Sequence, residues 1–320
     1  MSLRDTVRRL GFGRLALALW HQPAARLRTC IREGGPLAQR RTERGRLEME
    51  QAAARLTPVP APAGPPVELH LLTGRRFWYQ TAFCLASFAR QAGRPVHPVI
   101  YDDGTLAGPP RDGLARLFPD ARFVAQPETL ARLERHLPES RFPVLRERWR
   151  HYPNIRKLTD VHAGTTGWKL VLDSDLLFFR RPDVLLAWLD QPSRPLHAVD
   201  IEESYGYPRP LLAELAGAPL APKVNVGLCG LDSGALDWEL LERACRLLLE
   251  RHGTNYYLEQ ALVALLVAGR PCTVAPAADY VTLPRPPEAL DCRAVMHHYV
   301  AESKRWYFQR NWRRFATPDA

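Results

Sequence analysis

Trp168-Lys-Leu-Val-Leu-Asp-Ser-Asp-Leu-Leu-Phe-Phe179 is the stretch on which the reading of this chain turns. Leu170, Val171 and Leu172 form an uninterrupted apolar run, the pattern of a central strand covered on both faces. Two acids follow at i and i+2, where such a strand should end, so strand alternation projects Asp173 and Asp175 to the same side. Neighbouring carboxylates repel each other, and a cation between them makes the arrangement tolerable. The carboxyl end of a strand in an open α/β sheet is also where ligands bind. Mg²⁺ or Mn²⁺ held by one or two carboxylates keeps positions open for water and phosphate oxygens, so the pair suits a diphosphate site better than a closed structural cage. Asp-x-Asp also occurs in ordinary turns; the weight here comes from the buried strand before it and the Arg181-Pro182 breaker after it.

Outward from this point the chain alternates between the two periodicities. Val67-Glu-Leu-His-Leu-Leu72 reads as a strand, 78–91 as a helix, and Val96-His-Pro-Val-Ile-Tyr101 as a second strand closed by Asp102-Asp103-Gly104. Further strands are expected at 122–125, 196–199 and across Lys223-Val-Asn-Val-Gly-Leu-Cys-Gly-Leu231, with helices at 129–136, 238–252 and 257–268. Strands separated by helical patterns imply an α/β domain with a mostly parallel sheet flanked by helices.

Pro58-Val-Pro-Ala-Pro-Ala-Gly-Pro-Pro66 ends whatever precedes it, because five prolines remove backbone donors and favour extended chain. The expected organisation is a basic helical N-terminal extension over 1–57, a Pro-rich linker over 58–66 and a catalytic domain over 67–320. In the extension, Leu3, Val7 and Leu10 recur at helical spacing among arginines, and 37–56 is rich in helix formers. Such a segment suits docking on a protein partner, lying on an anionic membrane surface, or packing on its own catalytic domain.

The formal charge of +10 is uneven: residues 1–57 hold 12 Arg against 5 acids, leaving only +3 for the rest. A basic tail rather than a groove-facing basic surface argues against a nucleic-acid partner. The six cysteines form neither a C-x-x-C pair nor a dense framework, which fits a reducing compartment. No apolar stretch approaches the roughly 20 residues a bilayer crossing requires, and the N-terminal apolar segment lacks a small-residue cleavage site after it. The expected location is cytoplasmic, with peripheral contact to the inner membrane surface open to residues 1–57.

Leu172-Asp-Ser-Asp-Leu-Leu-Phe-Phe179, then Pro182, Asn225-Val-Gly-Leu228, Glu259-Gln260, and a late His297-His-Tyr-Val300 with Lys304 form an ordered series. It resembles the motifs of GT-A-fold glycosyltransferases, in particular bacterial members related to the glycogenin-like and lipopolysaccharide sugar transferases. The resemblance spans about 67–308, and Asp-x-Asp is its most specific part. It implies a nucleotide-sugar donor, a divalent cation, Mn²⁺ or Mg²⁺, and a hydroxyl acceptor. By position it assigns Asp173 and Asp175 to the metal, with His297 or His298 as a late third ligand; only one of two adjacent strand residues faces the metal, and His298 is preferred. A nitrogen ligand tilts the choice toward Mn²⁺.

The same resemblance gives Lys304 the departing diphosphate, and places Lys157 and Asp160 on a segment flanking nucleotide and donor sugar. It brings Asp103, and the backbone at Thr73, near the nucleoside, and Asn225 and Gly227 near the sugar. Glu259 is the expected base or acceptor-orienting group, with Asp200 and Glu202 as rivals. Each has a plainer alternative: Asp-Gly is a routine turn signal, a lysine is usually solvated, and Glu259 can serve a helix N-terminus. The expected reaction is glycosyl transfer, and the family likeness leans toward retention of configuration. The alternatives are a non-catalytic scaffold on the same fold and a sugar nucleotidyltransferase; the latter normally carries a Gly-rich phosphate loop, whereas Leu71-Leu-Thr-Gly-Arg-Arg76 offers one glycine.

Overall fold

Each run read as a strand or helix after the linker forms that element in the computed structural model, which describes residues 34–60 and 64–316. In chain order the elements are α1 (Pro36–Ala53), β1 (Val67–Thr73), α2 (Trp78–Ala92), β2 (Val96–Asp102), α3 (Pro109–Leu117), β3 (Arg122–Val124), α4 (Gln126–His136), α5 (Pro143–His151) and α6 (Arg156–His162). There follow β4 (Trp168–Leu172), β5 (Leu176–Phe178), α7 (Asp183–Asp190), β6 (Leu196–Val199), α8 (Arg209–Ala216), β7 (Val224–Asp232), α9 (Trp238–His252) and α10 (Leu258–Val267). The last are β8 (Thr273–Val274), β9 (Tyr280–Thr282), α11 (Pro286–Asp291), β10 (Met296–His298) and α12 (Lys304–Gln309).

Seven strands form one sheet in the order β3-β2-β1-β4-β7-β6-β8, and β5, β10 and β9 form a second, smaller one. β1 lies parallel to β2 and β4, β2 to β3, and β6 to β8, as a helix-crossover pattern requires. The exception is β7, which runs antiparallel to both β4 and β6. The sheet is therefore mostly parallel, and β4 has a parallel neighbour on one side and an antiparallel one on the other.

The apolar run in β4 is explained by coverage on both faces. Leu170 and Leu172 join one core cluster with Leu69, Leu71 and Phe83, whereas Val171 joins another with Val99, Tyr101 and Val161. Full burial of each such side chain stabilises the fold by about 1.5–3 kcal/mol. A further cluster, built on α8 to α10 and the apolar side chains of β7, packs Leu212, Leu241, Leu262 and Val226 together.

α1 packs on the domain that follows it. Met49, Ala53 and Leu56 enter the same cluster as Phe83 and Trp312, and Gly45 lets α1 meet the backbone of α12 closely: a Cβ there would stand 2.2 Å from the Phe308 carbonyl oxygen. The helical spacing of Leu3, Val7 and Leu10 lies outside the described residues. Residues 56–60 and 65–66 carry no regular structure, as the proline content dictates. Among the described residues no helix is long and apolar enough to cross a membrane. The described cysteines, Cys84, Cys229, Cys245, Cys272 and Cys292, are all free thiols.

Candidate active site

The site is assembled where β4 ends. The Asp173 amide donates to the Gly227 carbonyl at 2.8 Å, extending the β4–β7 pairing by one residue, and the chain then turns through Ser174 into β5. β5 pairs antiparallel with β10, placing His298 opposite Leu176, and the Tyr299 amide donates to the Asp175 carbonyl at 3.0 Å. Two sheets meeting at one turn thus bring an acidic pair and a histidine from 123 residues later in the chain to the same place.

His298 Nε2 stands 3.3 Å from Asp175 Oδ1 and 3.7 Å from Asp173 Oδ2. One ligand atom from each of the three lies within 4.8 Å of the others, a spacing that can converge on one ion. Of the two adjacent histidines, His298 faces the aspartates. His297 points the other way into the core: its Nδ1 is 3.1 Å from the Tyr299 hydroxyl, its ring lies 4.9 Å from that of Phe179, and burial pushes its pKa down to about 4.

The far oxygens of the two carboxylates are held by lysines. Lys157 Nζ is 2.7 Å from Asp173 Oδ1, and Lys304 Nζ is 3.2 Å from Asp175 Oδ2. Each carboxylate therefore offers one oxygen toward His298 and gives the other to an ammonium. Lys157 also reaches Glu259 Oε2 at 3.2 Å, so one buried cation serves two acids.

These contacts set the charge states. Burial alone would raise the Asp175 carboxyl, but His298 and then Lys304 outweigh it and hold Asp175 well below the usual carboxylate range. Burial likewise opposes charge on His298, and Asp175 and Asp173 overcome it, raising the imidazole above its ordinary value. Desolvation works against the Lys157 ammonium too, yet Asp173 and Glu259 keep it charged and above the normal lysine value. Glu259 is the other way round: burial dominates, Lys157 only partly offsets it, and the carboxyl is pushed up to about 8. The shared ammonium lies closer to Asp173, at 2.7 Å, than to Glu259, at 3.2 Å.

A cavity of about 550 Å³ opens over this cluster. Asp173, Asp175, His298, Lys157, Lys304, Glu259, Asp200, Glu202, Asn225 and Gly227 all line it. The donor set, two carboxylate oxygens and an imidazole nitrogen beside open space, fits Mn²⁺ or Mg²⁺ with room for phosphate oxygens.

Several residues have local tasks as well. Asn225 Oδ1 accepts from the Gly227 amide at 3.0 Å, and Gly227 makes room for the His298 ring rather than only for a ligand, since a Cβ there would lie 2.2 Å from Cε1. Asp200 accepts from the Ile201 amide and from Gln260 Nε2. Thr73, Asp103 and Asp160 are not among the cavity-lining residues. The Thr73 hydroxyl is buried against that of Thr81, at 2.8 Å. Asp103 closes a turn by accepting from the Thr105 amide and hydroxyl, with Gly74 leaving space for its carboxylate. Asp160 accepts from Trp149 Nε1 at 2.7 Å and from Thr159, and burial pushes it up to about 6.

Residues that the motif reading passed over also reach the cavity: Ile201, Tyr256, Tyr257, Leu283 and Ala301. Leu283 and Ala301 have positive φ, 54° and 45°, a strained backbone for residues with a Cβ. The adjacent aromatic pair was the one sequence signal available for this group.

No protein-family model and no curated protein matches the chain. Among solved structures, the galactosyltransferase LgtC in complex with donor and acceptor sugar analogues superposes with a TM-score of 0.50 at 14% identity, over 78% of this chain and 95% of that one. The chain has a GT-A fold. Mouse xyloside xylosyltransferase 1, apo form, also aligns with this GT-A chain, at a TM-score of 0.49 and 11% identity, over 73% of this chain and 97% of the other. At such identities the likeness is one of fold alone.

Proposed function

We propose that this chain transfers a glycosyl group from a nucleotide diphosphate sugar to an acceptor hydroxyl, with Mn²⁺ or Mg²⁺ held by Asp173, Asp175 and His298. The observation that carries the reading is the convergence of these three ligands, from β4's end and β10, at the floor of a cavity large enough for a sugar nucleotide's reacting half. A divalent ion there supplies charge neutralisation for the donor diphosphate.

The remaining groups have matching tasks. Lys304 is half-exposed beside Asp175 and suits the charge that grows on the leaving diphosphate. Lys157 holds Asp173 in place while keeping Glu259 close to the cavity wall. Glu259, with its carboxyl near neutrality at pH 7–8, is better suited to exchanging a proton with the acceptor than Asp200, which is occupied by Gln260 and the Ile201 amide. Asn225 and Gly227 shape the floor under the donor sugar, and the family likeness favours retention at the anomeric carbon. Thr73 and Asp103 at the ends of β1 and β2, with Asp160 behind Trp149, belong on the nucleoside side as support for the walls. A reducing, cytoplasmic setting is the one that the scattered cysteine spacing of the sequence fits.

Thermal shifts with uridine, guanosine and adenosine diphosphate sugars, with and without Mn²⁺, test the reading. One of these donors should stabilise the protein only when the metal is present, by about 2.7 kcal/mol at a hundredfold excess over its Kd. Asp175→Ala should remain folded and lose the shift. An Asp175→Ala protein that responds like the unaltered chain, or no response to any donor with Mn²⁺, would falsify it.

A further inference from the structure

The cavity lining is acidic although the chain as a whole is basic. The chain as a whole is +10, yet six acids and two lysines line the cavity. Four of the acids, Asp173, Asp175, Glu259 and Asp200, are held by lysines, His298 or Gln260. The carboxylates of the other two, Glu202 and Glu302, make no hydrogen bond or ion pair among the described residues. Glu202 is exposed and Glu302 half-buried, so the cavity lining includes two carboxylates without a direct partner while both lining lysines sit against Asp173 and Asp175.

Beside these acids lies an apolar surface that the fold does not need for packing. Tyr256 is 74% exposed, Tyr257 38% and Ile201 51%, and all three line the cavity. The two tyrosine rings meet edge to face, 5.3 Å between centroids. Their backbone is fixed: the Tyr152 hydroxyl donates to the Tyr256 carbonyl at 2.6 Å, and Asn255 Oδ1 accepts from the Tyr257 amide at 2.9 Å. Asn255 Nδ2 donates to the Gly206 carbonyl and Gln260 Nε2 to the Ser204 carbonyl, which ties the tyrosine loop to the loop that presents Ile201 and Glu202. Exposed aromatics on a braced backbone are a preorganised contact surface, since little ordering is left to be done on binding.

We propose that Tyr256, Tyr257 and Ile201 form the acceptor platform, and that the acceptor is a glycan whose terminal residues are neutral or amino sugars rather than phosphorylated, sialylated or uronic ones. This rests on the transferase reading above. The apolar faces of pyranose rings bury well on tyrosine, and an indole or phenol ring orders few torsions in doing so. An acidic sugar in this cavity would face Glu202 and Glu302 while both cavity-lining lysines are engaged by Asp173, Glu259 and Asp175. Lys223, outside the lining, is held on the Ile201 carbonyl. The resulting repulsion discriminates more than it binds.

Glycan arrays bearing neutral, amino-sugar and acidic glycans, probed with the labelled full chain in the presence of Mn²⁺, test this independently of donor binding. Binding to neutral or amino-sugar glycans is expected, weakened about tenfold or more by Tyr256→Ala with Tyr257→Ala. Because both rings are exposed, the unliganded melting temperature of that double variant should stay near that of the unaltered chain, which serves as the folding control. Glu202→Lys with Glu302→Lys should admit acidic glycans. The proposal is overturned if only acidic glycans bind, if the tyrosine variant binds as before, or if no glycan binds while a donor still gives its metal-dependent thermal shift. Absence of that shift in the unaltered chain is a failure of the transferase reading and is scored apart.

Discussion

Gly227 lies beneath His298, and nothing larger fits: a Cβ at position 227 would stand 2.2 Å from Cε1 of the imidazole and 2.6 Å from Nδ1. The strand that binds the end of β4 thereby also seats the histidine. Gly227→Ala should push the ring away from Asp173 and Asp175 and lower Mn²⁺ affinity roughly 10–100-fold, the range seen when the residues supporting a metal ligand are altered. Isothermal titration with Mn²⁺ reads this directly, and an affinity within about twofold of the original would show that the ring position does not depend on Gly227.

Glu259 makes stability depend on pH in a direction opposite to an ordinary ion-paired carboxylate. Its folded-state value of about 8 lies above the ordinary 4.5, so the metal-free folded protein binds the extra proton between those limits. Stability is therefore lost as pH rises from about 4.5 through 8, and the penalty is complete above that. Glu259→Gln removes the titration. Denaturation at pH 6 and pH 9 should find the glutamine variant gaining on the unaltered chain at the higher pH; a constant difference would mean that Lys157 keeps Glu259 ionised throughout.

Gly45 couples the N-terminal helix to the site. α1 crosses the Phe308 backbone at this residue, and Phe308 shares α12 with Lys304. Gly45→Val should lower the melting temperature by several degrees, given about 2–4 °C per kcal/mol for a domain of this order, and reduce the donor-induced shift through displacement of Lys304. A variant that melts normally would show that α1 can lift off without disturbing α12.

Glu242 on α9 caps α5 from outside. Its two carboxylate oxygens accept from the Val144 and Leu145 amides, at 3.1 and 2.9 Å, where the first turn of α5 has no internal partners. It is buried, and Arg246 balances its charge at 2.9 Å. Glu242→Ala should cost about 1–3 kcal/mol in chemical denaturation by leaving those amides unsatisfied, and Glu242→Gln less, because one acceptor oxygen survives. A loss below about 0.5 kcal/mol for the alanine variant would place the cap elsewhere.

The elements that sequence reading located best were those whose signal is local. Leu170 to Leu172 are apolar because both faces of β4 are covered, and Asp173 and Asp175 follow because a strand end exposes its carboxyl side. The antiparallel course of β7 had no such signal: an apolar run looks the same in either direction, and only its pairing with β4 and β6 distinguishes them. Asp160 and Thr73 stand at positions where a polar side chain either lines a site or satisfies a buried partner, and Trp149 and Thr81 are those partners.

By itself, the order of residues determined the α/β alternation, the break at the prolines and the place of the acidic pair, because periodicity, proline geometry and strand alternation act over a few residues. The rest required tertiary structure. That His298 and not His297 faces the aspartates follows from the β5–β10 register, where a shift of one residue would exchange the two rings. That Lys157 is shared by Asp173 and Glu259, and that two exposed tyrosines stand over the same cavity, follows from packing between segments far apart in the chain, and the electric field each group feels is summed over neighbours that no local pattern contains.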